Sequence, residues 1–367
     1  MKITVEKEEI QRKLADIQNI VDRKGTMPIL NHFLLIADKK GSYIIATDLE
    51  TAFKEPININ IQTEGKICIP ARKLLEIVRE MEGEITIEAV DSQWIKVMSG
   101  KTLFRLSCLN AEEYPVWPSI EGKEEIDLDS KLLLEMIERS LYSAGEADTR
   151  YVLNSLLFHI RTDGTITVVG TDGHRLALSR KNISNMPKED KQLIVSRKAI
   201  SELKRFLAEE IKSVNISIGK NHILFKFGDT QFLTRLIEGS YPAYEQVIPN
   251  ANTKTLFVDK NLLSKALRRV SIMSRDRSNA VKLDLESNRL VLSANNPDFG
   301  DATDEIEAEF SNKEAFTIAF NAKYILDALN VIKSDKVIFK LNEPLSPTLL
   351  LEEGNEDYKC VIMPMRI

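Results

Sequence analysis

Residues 67–78 read ICIPARKLLEIV, and two later stretches repeat this pattern. Residues 193–203 read LIVSRKAISEL, and residues 316–329 read FTIAFNAKYILDAL. Each stretch is a short apolar run, then a small polar or turn-forming residue, then apolar residues at helical spacing. This is typical of a buried strand that leads into a helix. Corresponding lysines are spaced by 125 residues, namely Lys73, Lys198 and Lys323. A period this regular predicts three copies of one domain.

The composition is that of a globular protein with full hydrophobic cores. The chain has 367 residues, of which 43% are hydrophobic and 29% are charged, and this length suits two or three domains. No apolar run is long enough to span a membrane, and the opening MKITVE is not a signal peptide. Cys68, Cys108 and Cys360 are scattered, and neither they nor the four histidines have metal-ligand spacing. We therefore expect a cytoplasmic protein with reduced thiols, no metal and no cofactor.

A second landmark supports the threefold repeat. Asp48, Asp172 and Asn295 each follow a predicted strand at a turn, with spacings of 124 and 123 residues. Each copy also divides into two halves that begin with a strand and a helix. The strands are too short and too closely spaced for parallel crossovers, so we predict antiparallel sheets and an α+β fold. Pro-bearing segments close the first two copies, and the predicted domains are 1–122, 123–251 and 252–367.

Apolar periodicity predicts the elements inside each copy. Helices are expected at the start of the copies, over 7–20, 130–142 and 260–273. Short apolar runs bounded by turn residues predict strands, among them 43–47, 56–61, 155–160 and 165–170.

Positive charge is concentrated on the predicted helices. The net charge of the chain is −5, which by itself argues against nucleic-acid binding. Residues 260–277 nevertheless hold six basic residues and one acidic residue, and residues 197–207 hold four and one. Basic residues that lie opposite an apolar stripe include Arg72, Arg79, Lys198, Arg205, Lys265, Arg268 and Arg269. A solvated face explains one such helix, but the recurrence favours helices that face a polyanion and contact its phosphates without reading bases.

Several motifs resemble the bacterial DNA polymerase III beta subunit, the sliding clamp. They extend over the whole chain, as MKITV at 1–5, TMPIL at 26–30, IPARK at 69–73, TDGHRLA at 171–177, FN at 320–321 and VIMPMR at 361–366. The resemblance implies three clamp domains per chain and a head-to-tail dimer that closes a ring, with helices lining the hole and sheets on the rim. Such a ring would hold duplex DNA topologically, without sequence preference and without catalysis.

The resemblance also implies a groove for the short motifs of client proteins. Its residues would be Leu153, Thr171, Gly173, His174, Arg175, Leu176, Pro242, Val247, Ser346, Val361, Ile362, Met363, Pro364 and Met365. Apolar side chains and adaptable methionines suit a peptide groove. From the residues alone, 361–363 also reads as a last core strand and Gly173 as a turn glycine. The implied clients are the polymerase III alpha subunit, the clamp loader, and other polymerases and repair proteins.

DNA contacts and a subunit joint follow from the same resemblance. By resemblance the DNA contacts would be Arg23, Lys24, Arg72, Tyr151 and Arg197, and the basic helix faces add Lys198, Arg205, Lys265, Arg268 and Arg269. The chain departs from the best-known member near these contacts, at Ala147, Val152, Glu245 and Gln246. In the dimer, residues of the first domain would meet residues of the third, namely Lys73, Phe104 and Leu106 with Ile272 and Met273.

Two other functions remain open at this point. A hydrolase would use Asp172 and His174, although no nucleophile stands at a recognisable spacing from them. A repeated β scaffold would bind protein partners only, and its basic helices would merely be solvated. Turnover that is lost on His174→Ala would favour the first. DNA retention that survives neutralisation of the basic helix at 260–273 would favour the second.

Overall fold

The computed structural model describes residues 1–21, 27–120, 124–184, 187–208, 212–274 and 278–366. The helices within these ranges are α1 (Lys7–Ile17), α2 (Ala71–Glu80), α3 (Ser130–Leu141), α4 (Arg197–Leu207), α5 (Tyr244–Val247), α6 (Lys260–Val270) and α7 (Ala322–Val331). Short 3-10 turns lie at Pro28–Asn31, Ala111–Glu113, Tyr151–Leu153 and Ser271–Met273.

The strands are short and follow one another closely. The first thirteen are β1 (Lys2–Glu6), β2 (His32–Ala37), β3 (Tyr43–Thr47), β4 (Thr51–Pro56), β5 (Asn60–Thr63), β6 (Gly65–Pro70), β7 (Glu84–Ala89), β8 (Trp94–Ser99), β9 (Thr102–Ser107), β10 (Glu124–Asp129), β11 (Ser155–Ile160), β12 (Thr165–Thr171) and β13 (Arg175–Asn182). The others are β14 (Lys191–Ser196), β15 (Ser213–Ile218), β16 (His222–Phe227), β17 (Thr230–Arg235), β18 (Lys254–Asp259), β19 (Ala280–Glu286), β20 (Arg289–Asn296), β21 (Gly300–Phe310), β22 (Phe316–Asn321), β23 (Lys336–Leu341), β24 (Thr348–Glu352) and β25 (Asn355–Ile362). They pair antiparallel, which confirms the predicted sheet type.

The chain forms two compact units, Met1–Ser130 with Glu209–Leu236, and Lys131–Ala208 with Ile237–Ile367. The first unit holds the sheets β5-β1-β7-β8-β9 and β10-β15-β16-β17-β4-β3-β2-β6. The second holds one sheet, β14-β11-β12-β13-β25-β24-β23-β18-β21-β20-β19-β22. The units do not coincide with the three predicted domain ranges, because β4 pairs with β17 and β13 pairs with β25. Sheet pairing therefore joins one copy of the repeat to the next.

The strand-to-helix junction occurs at all three places where the sequence predicted it. β6 leads into α2, β14 into α4 and β22 into α7. The N-cap residues are spaced by 126 and 125 positions and are Pro70, Ser196 and Asn321. In this register Arg72 corresponds to Lys198 and Lys323. The predicted equivalence of Lys73 with these lysines is therefore wrong by one residue, because the sequence match was made on residue type instead of on the helix start.

Helix ends differ from the predicted ones. α1 ends at Ile17 instead of continuing to residue 20, and α6 ends at Val270, where a 3-10 turn takes over. The apolar faces that predicted the helices are buried as expected. α6, for example, buries Leu263, Ala266, Leu267 and Val270, and burial of a leucine or valine side chain contributes about 1.5–3 kcal/mol.

Two local predictions are wrong. A single strand was expected over 56–61, but β4 ends at Pro56 and β5 begins at Asn60, because proline has no N–H to donate to a continuing ladder. The turn landmark of the third copy is Asn296 instead of Asn295. The Asn296 Oδ1 accepts from the N–H of Asp298 at 3.0 Å, so the landmark spacing is 124 residues in both steps.

One charged pair lies inside the first unit. Lys13 on α1 and Glu55 on β4 are 5% and 3% exposed and form an ion pair. Desolvation raises the pKa of Glu55 to about 7 from its ordinary 4.5, although the hydrogen bond from Lys13 opposes this change. Within the described ranges the second carboxylate oxygen, Oε1, has no hydrogen-bond partner. Ionisation of Glu55 is therefore expected to cost stability.

Replacing this pair by Lys13→Met with Glu55→Gln should change how stability depends on pH. A folded-state pKa that is raised gives stability that is complete below about 4.5 and is lost as pH rises through about 7. The melting temperature of the variant minus that of the wild type should therefore increase as pH rises from about 4.5 to about 7. Differential scanning fluorimetry measures this difference. Glu8→Gln, an exposed position on the same helix, is the control. A difference between wild type and double variant that stays constant with pH would contradict the prediction.

Candidate functional site

The predicted groove residues all belong to the second unit, and those of β13, of β25 and of the adjoining segments come together where these two strands pair. Leu176 lies opposite Val361, and the Met363 N–H donates to the His174 carbonyl oxygen at 2.9 Å. The Met365 N–H then donates to a β22 carbonyl oxygen at 2.8 Å. These main-chain bonds hold the segment after β25 beside the turn between β12 and β13.

An apolar cluster underlies this surface. Its buried members are Leu157, Val169, Leu176, Leu178, Ile194, Tyr241, Tyr244, Leu349 and Val361. Among the predicted groove residues, those that are exposed or half-buried are Gly173, His174, Pro242, Val247, Ser346, Met363, Pro364 and Met365. Those that are buried are Leu153, Thr171, Arg175, Leu176, Val361 and Ile362. The exposed and half-buried members therefore lie outside the strands, in loops, in α5 and in the segment after β25.

The turn between β12 and β13 is fixed by side-chain hydrogen bonds to its own backbone. The Asp172 Oδ1 accepts from the N–H groups of His174 and Arg175 at 2.9 and 3.0 Å. The Thr171 hydroxyl donates to the Arg175 carbonyl oxygen at 2.6 Å and accepts from the Gly173 N–H at 3.1 Å. Gly173 has φ +86°, which favours glycine. The turn therefore has one defined conformation.

This geometry does not support the hydrolase alternative. Asp172 binds the backbone N–H of His174 and not its imidazole ring. The other carboxylate oxygen of Asp172 accepts from the Nε of Arg175 at 3.0 Å. The carboxylate thus orders the turn instead of orienting a histidine as a general base.

An arginine that the sequence did not indicate lies over this turn. Arg150 binds both carboxylate oxygens of Asp148 at 2.9 and 2.8 Å, and these bonds lower the pKa of Asp148 to about 2. A Cβ on Gly173 would lie 3.2 Å from the Arg150 Nη2. Asn154 holds the main chain of Asp148 through its side-chain amide. The only signal in the sequence would have been the two-residue spacing from Asp148 to Arg150, which is common in loops.

The first copy contains the same turn with a different side chain at its tip. The Asp48 Oδ1 accepts from two N–H groups of the turn, and the Thr47 hydroxyl donates to the Thr51 carbonyl oxygen at 2.8 Å. Leu49 stands where Gly173 stands in the second copy, with φ +74° and 52% exposed. A cavity of about 50 Å³ beside it is also lined by Trp117. The two copies share this hydrogen-bonded turn, but only the second has a glycine at its tip.

The predicted DNA-binding residues occupy several helices. Arg23 and Lys24 lie outside the described residues. Tyr151 is 79% exposed in a 3-10 turn, and the helix residues with exposed side chains are Arg72, Lys198, Arg205, Lys265, Arg268 and Arg269. α6 carries four basic residues and no acidic one, and α4 carries four and one. The expectation that helices in general are basic is wrong for α1, α3 and α7, whose charges balance.

Arg197 has a structural role that the sequence did not reveal. Its Nη1 donates to the carbonyl oxygens of Leu141 and Ala144 at 2.7 and 2.8 Å, and its Nη2 binds Glu146 at 2.9 Å. A cation at this place satisfies carbonyl groups at the end of α3. Arg269 is likewise paired, with Asp304 at 2.7 Å. The partners of both arginines are distant in the chain, so periodicity could not show them.

The predicted joint residues lie at sheet edges and at a helix end. β9 is an edge strand of the five-stranded sheet, and it carries the exposed Phe104 and the half-buried Leu106. In the second unit, Ile272 is 60% exposed in the 3-10 turn after α6, beside the half-buried Met273. Lys73 is exposed on α2 and pairs with Glu76. Apolar side chains on an unpaired edge are typical of a surface that another chain covers.

Among the described residues, the helices are too short or too polar to cross a membrane. In the same part of the chain, His, Cys, Asp and Glu side chains form no group that could hold a metal ion.

Three family models match consecutive parts of the chain. They describe the DNA polymerase III beta subunit, with its N-terminal domain over 1–118, its central domain over 127–243 and its C-terminal domain over 245–366. Proteins named beta sliding clamp from Pseudomonas putida and Caulobacter vibrioides are 33% and 32% identical to this chain, over 100% of both proteins in each comparison.

Solved structures agree with these matches. The DNA polymerase III subunit beta of Pseudomonas aeruginosa is similar with a TM-score of 0.94 and 33% identity. A DnaN sliding clamp of Bartonella birtlesii bound to griselimycin is similar with a TM-score of 0.95 and 34% identity. Both comparisons cover 100% of each chain.

Proposed function

Because the chain belongs to the DNA polymerase III beta subunit family, the non-catalytic sliding clamps of DNA replication, we propose that two copies close a ring around duplex DNA and hold client proteins on it. The observation that carries this proposal is the succession of three family domains along almost the whole chain. We assign the domains to 1–122, 123–251 and 252–367, and we place the protein in the cytoplasm, where the chromosome is replicated.

The subunit joint is proposed to be head-to-tail. The Phe104 and Leu106 side chains on β9 of one copy would cover Ile272 and Met273 of the other, with Lys73 at the margin. An exposed edge strand in one unit and an exposed apolar helix end in the other support this pairing, since each leaves apolar surface uncovered. A closed ring of this kind removes the exposed sheet edges.

Duplex DNA is proposed to lie against the basic faces of α2, α4 and α6. The exposed cations of these helices, together with Tyr151, would contact phosphates and carry no sequence information. Arg23 and Lys24 belong to this proposal by resemblance. Arg197 and Arg269 are already bound to groups of the chain itself, so phosphates would compete with those partners.

The β13–β25 surface is proposed as the client groove. Its exposed apolar side chains over a packed base suit short peptide motifs, and Met363 can adapt to different ligands. The clients are proposed to be the polymerase III alpha subunit, the clamp loader, and other polymerases and repair proteins. Griselimycin, bound in the solved clamps of Pseudomonas aeruginosa and Bartonella birtlesii, is proposed to bind this chain at the same surface.

Gly173→Ala should weaken griselimycin binding about ten-fold. The added Cβ would lie 3.2 Å from the Arg150 Nη2 and would displace this arginine at the proposed groove. The strain of about 1 kcal/mol or more at φ +86° lowers stability but is shared by the control. Isothermal titration calorimetry gives the affinity directly. Gly354→Ala is the matched control, since Gly354 has φ +76° and nothing within 4 Å of an added Cβ. Equal affinity of Gly173→Ala and wild type, or an equal loss in both variants, would count against the groove.

Lys265→Gln with Arg268→Gln should reduce the salt dependence of DNA binding. Each lost phosphate contact lowers the slope of log K against log salt by about 0.9, so the slope should fall by about 2. Fluorescence anisotropy with a short duplex of arbitrary sequence measures this slope. The control, Lys188→Gln with Lys220→Gln, removes the same charge from exposed loop positions and should leave the slope almost unchanged. An equal fall in both variants would mean that only total charge matters.

A further inference from the structure

A buried arginine joins the turn at the proposed groove to two helices. Arg175 is 7% exposed, and each of its three guanidinium nitrogens binds a different part of the second unit. The Nε donates to Asp172 at 3.0 Å, the Nη1 to Asp327 on α7 at 2.7 Å, and the Nη2 to the Tyr142 carbonyl oxygen after α3 at 2.6 Å. The guanidinium therefore links the groove turn with α3 and α7.

Aromatic rings restrain the same guanidinium. Its carbon lies 4.4 Å from the ring centroid of Tyr324 and 5.4 Å from that of Tyr142. The Tyr142 hydroxyl is itself hydrogen-bonded to the hydroxyl of the buried Tyr358 on β25, at 2.7 Å. Cation–π contacts of this kind gain strength when the cation is desolvated. Arg175 is thus fixed in both its plane and its position.

The orientation of the turn depends on this arginine. One carboxylate oxygen of Asp172 accepts from Arg175, and the other accepts from two backbone N–H groups of the turn. A shift of the guanidinium would therefore rotate the carboxylate that holds the main chain of His174. The His174 carbonyl oxygen in turn accepts from the N–H of Met363. The contacts thus form a continuous path from α7 to the exposed methionine of the surface.

We propose that Arg175 is a positioning residue of the groove and that Asp327, on a helix outside the turn, contributes to client affinity through it. The inference rests on the proposed function of the β13–β25 surface. It changes the part played by Arg175, which acts from beneath the groove instead of touching the client. It also means that the groove responds to how α7 of the third family domain packs on the second. Lys323, which binds Asp327 at 2.8 Å from the exposed side, belongs to the same path.

Asp327→Asn tests this inference because it keeps the side-chain shape and removes the charge. Griselimycin binding should weaken about five-fold, which is the lower range of coupling between linked sites. In protein labelled with ¹³C-methyl methionine, the Met363 signal of the free variant should shift. Arg175→Lys keeps the charge but lacks the planar, forked guanidinium whose three nitrogens reach these partners, so it should weaken binding at least as much and shift the same signal.

Asp284→Asn is the matched control, because Asp284 is a partly exposed carboxylate that pairs with Lys282 in the same unit. It should leave both the affinity and the Met363 signal unchanged. Wild-type affinity and an unshifted Met363 signal in Asp327→Asn would overturn the inference, as would an equal loss in Asp284→Asn. If wild-type protein does not bind griselimycin, the proposed groove itself fails. This result differs from the two outcomes above, in which the wild type binds and only the variants are compared.

Discussion

The antiparallel pairing of β13 with β25 is the interaction on which the candidate site depends. It places the turn after β12 beside the segment after β25, although these belong to different segments of the second unit and lie far apart in the sequence. The same relation recurs in the first unit, where β4 pairs with β17. Because each pairing joins one copy of the repeat to the next, a surface built there necessarily draws on two copies.

The two turns at these pairings have the same backbone hydrogen bonds, but they carry different residues at the tip. Threonine and aspartate hold the backbone in the same way in both turns. The tip residue is Gly173 in one and Leu49 in the other, and both have positive φ. Leucine in this conformation is strained, which indicates that the surrounding hydrogen bonds determine the turn. The difference between the two turns therefore resides in the side chain at the tip and not in topology.

The charged side chains of this chain differ in whether they bind groups of the protein itself or are exposed on the helices. The net charge of −5 conceals α4 and α6, whose exposed cations suit a polyanion that is held loosely. Other charged side chains bind groups of the protein itself. Arg197 satisfies carbonyl groups near the end of α3, and Arg175 binds Asp172 in the turn after β12. A tether needs no reactive group, and the geometry of Asp172 agrees with a structural role for this carboxylate.

The sequence predicted those features that depend on local pattern. Apolar periodicity showed the repeated strand-to-helix junctions and the antiparallel sheets. Two positions in the alignment of the repeats, Lys73 and Asn295, were wrong by one residue. They were matched by residue type, which does not identify where a helix or a turn begins. The partners of Arg175 and Arg197 were not predicted, since those contacts join residues far apart in the chain. The groove residues came from family resemblance, and their contacts with clients remain predictions.

Topological retention on DNA distinguishes a closed ring from ordinary electrostatic binding. The protein would be loaded by a clamp loader onto circular plasmid, half of which is then linearised, and both samples would be passed through a sizing column in high salt. A ring should stay with the circles and be lost from the linear molecules, because high salt screens phosphate contacts but cannot open a closed ring. Equal loss from circular and linear DNA would mean ordinary electrostatic binding and would contradict the account.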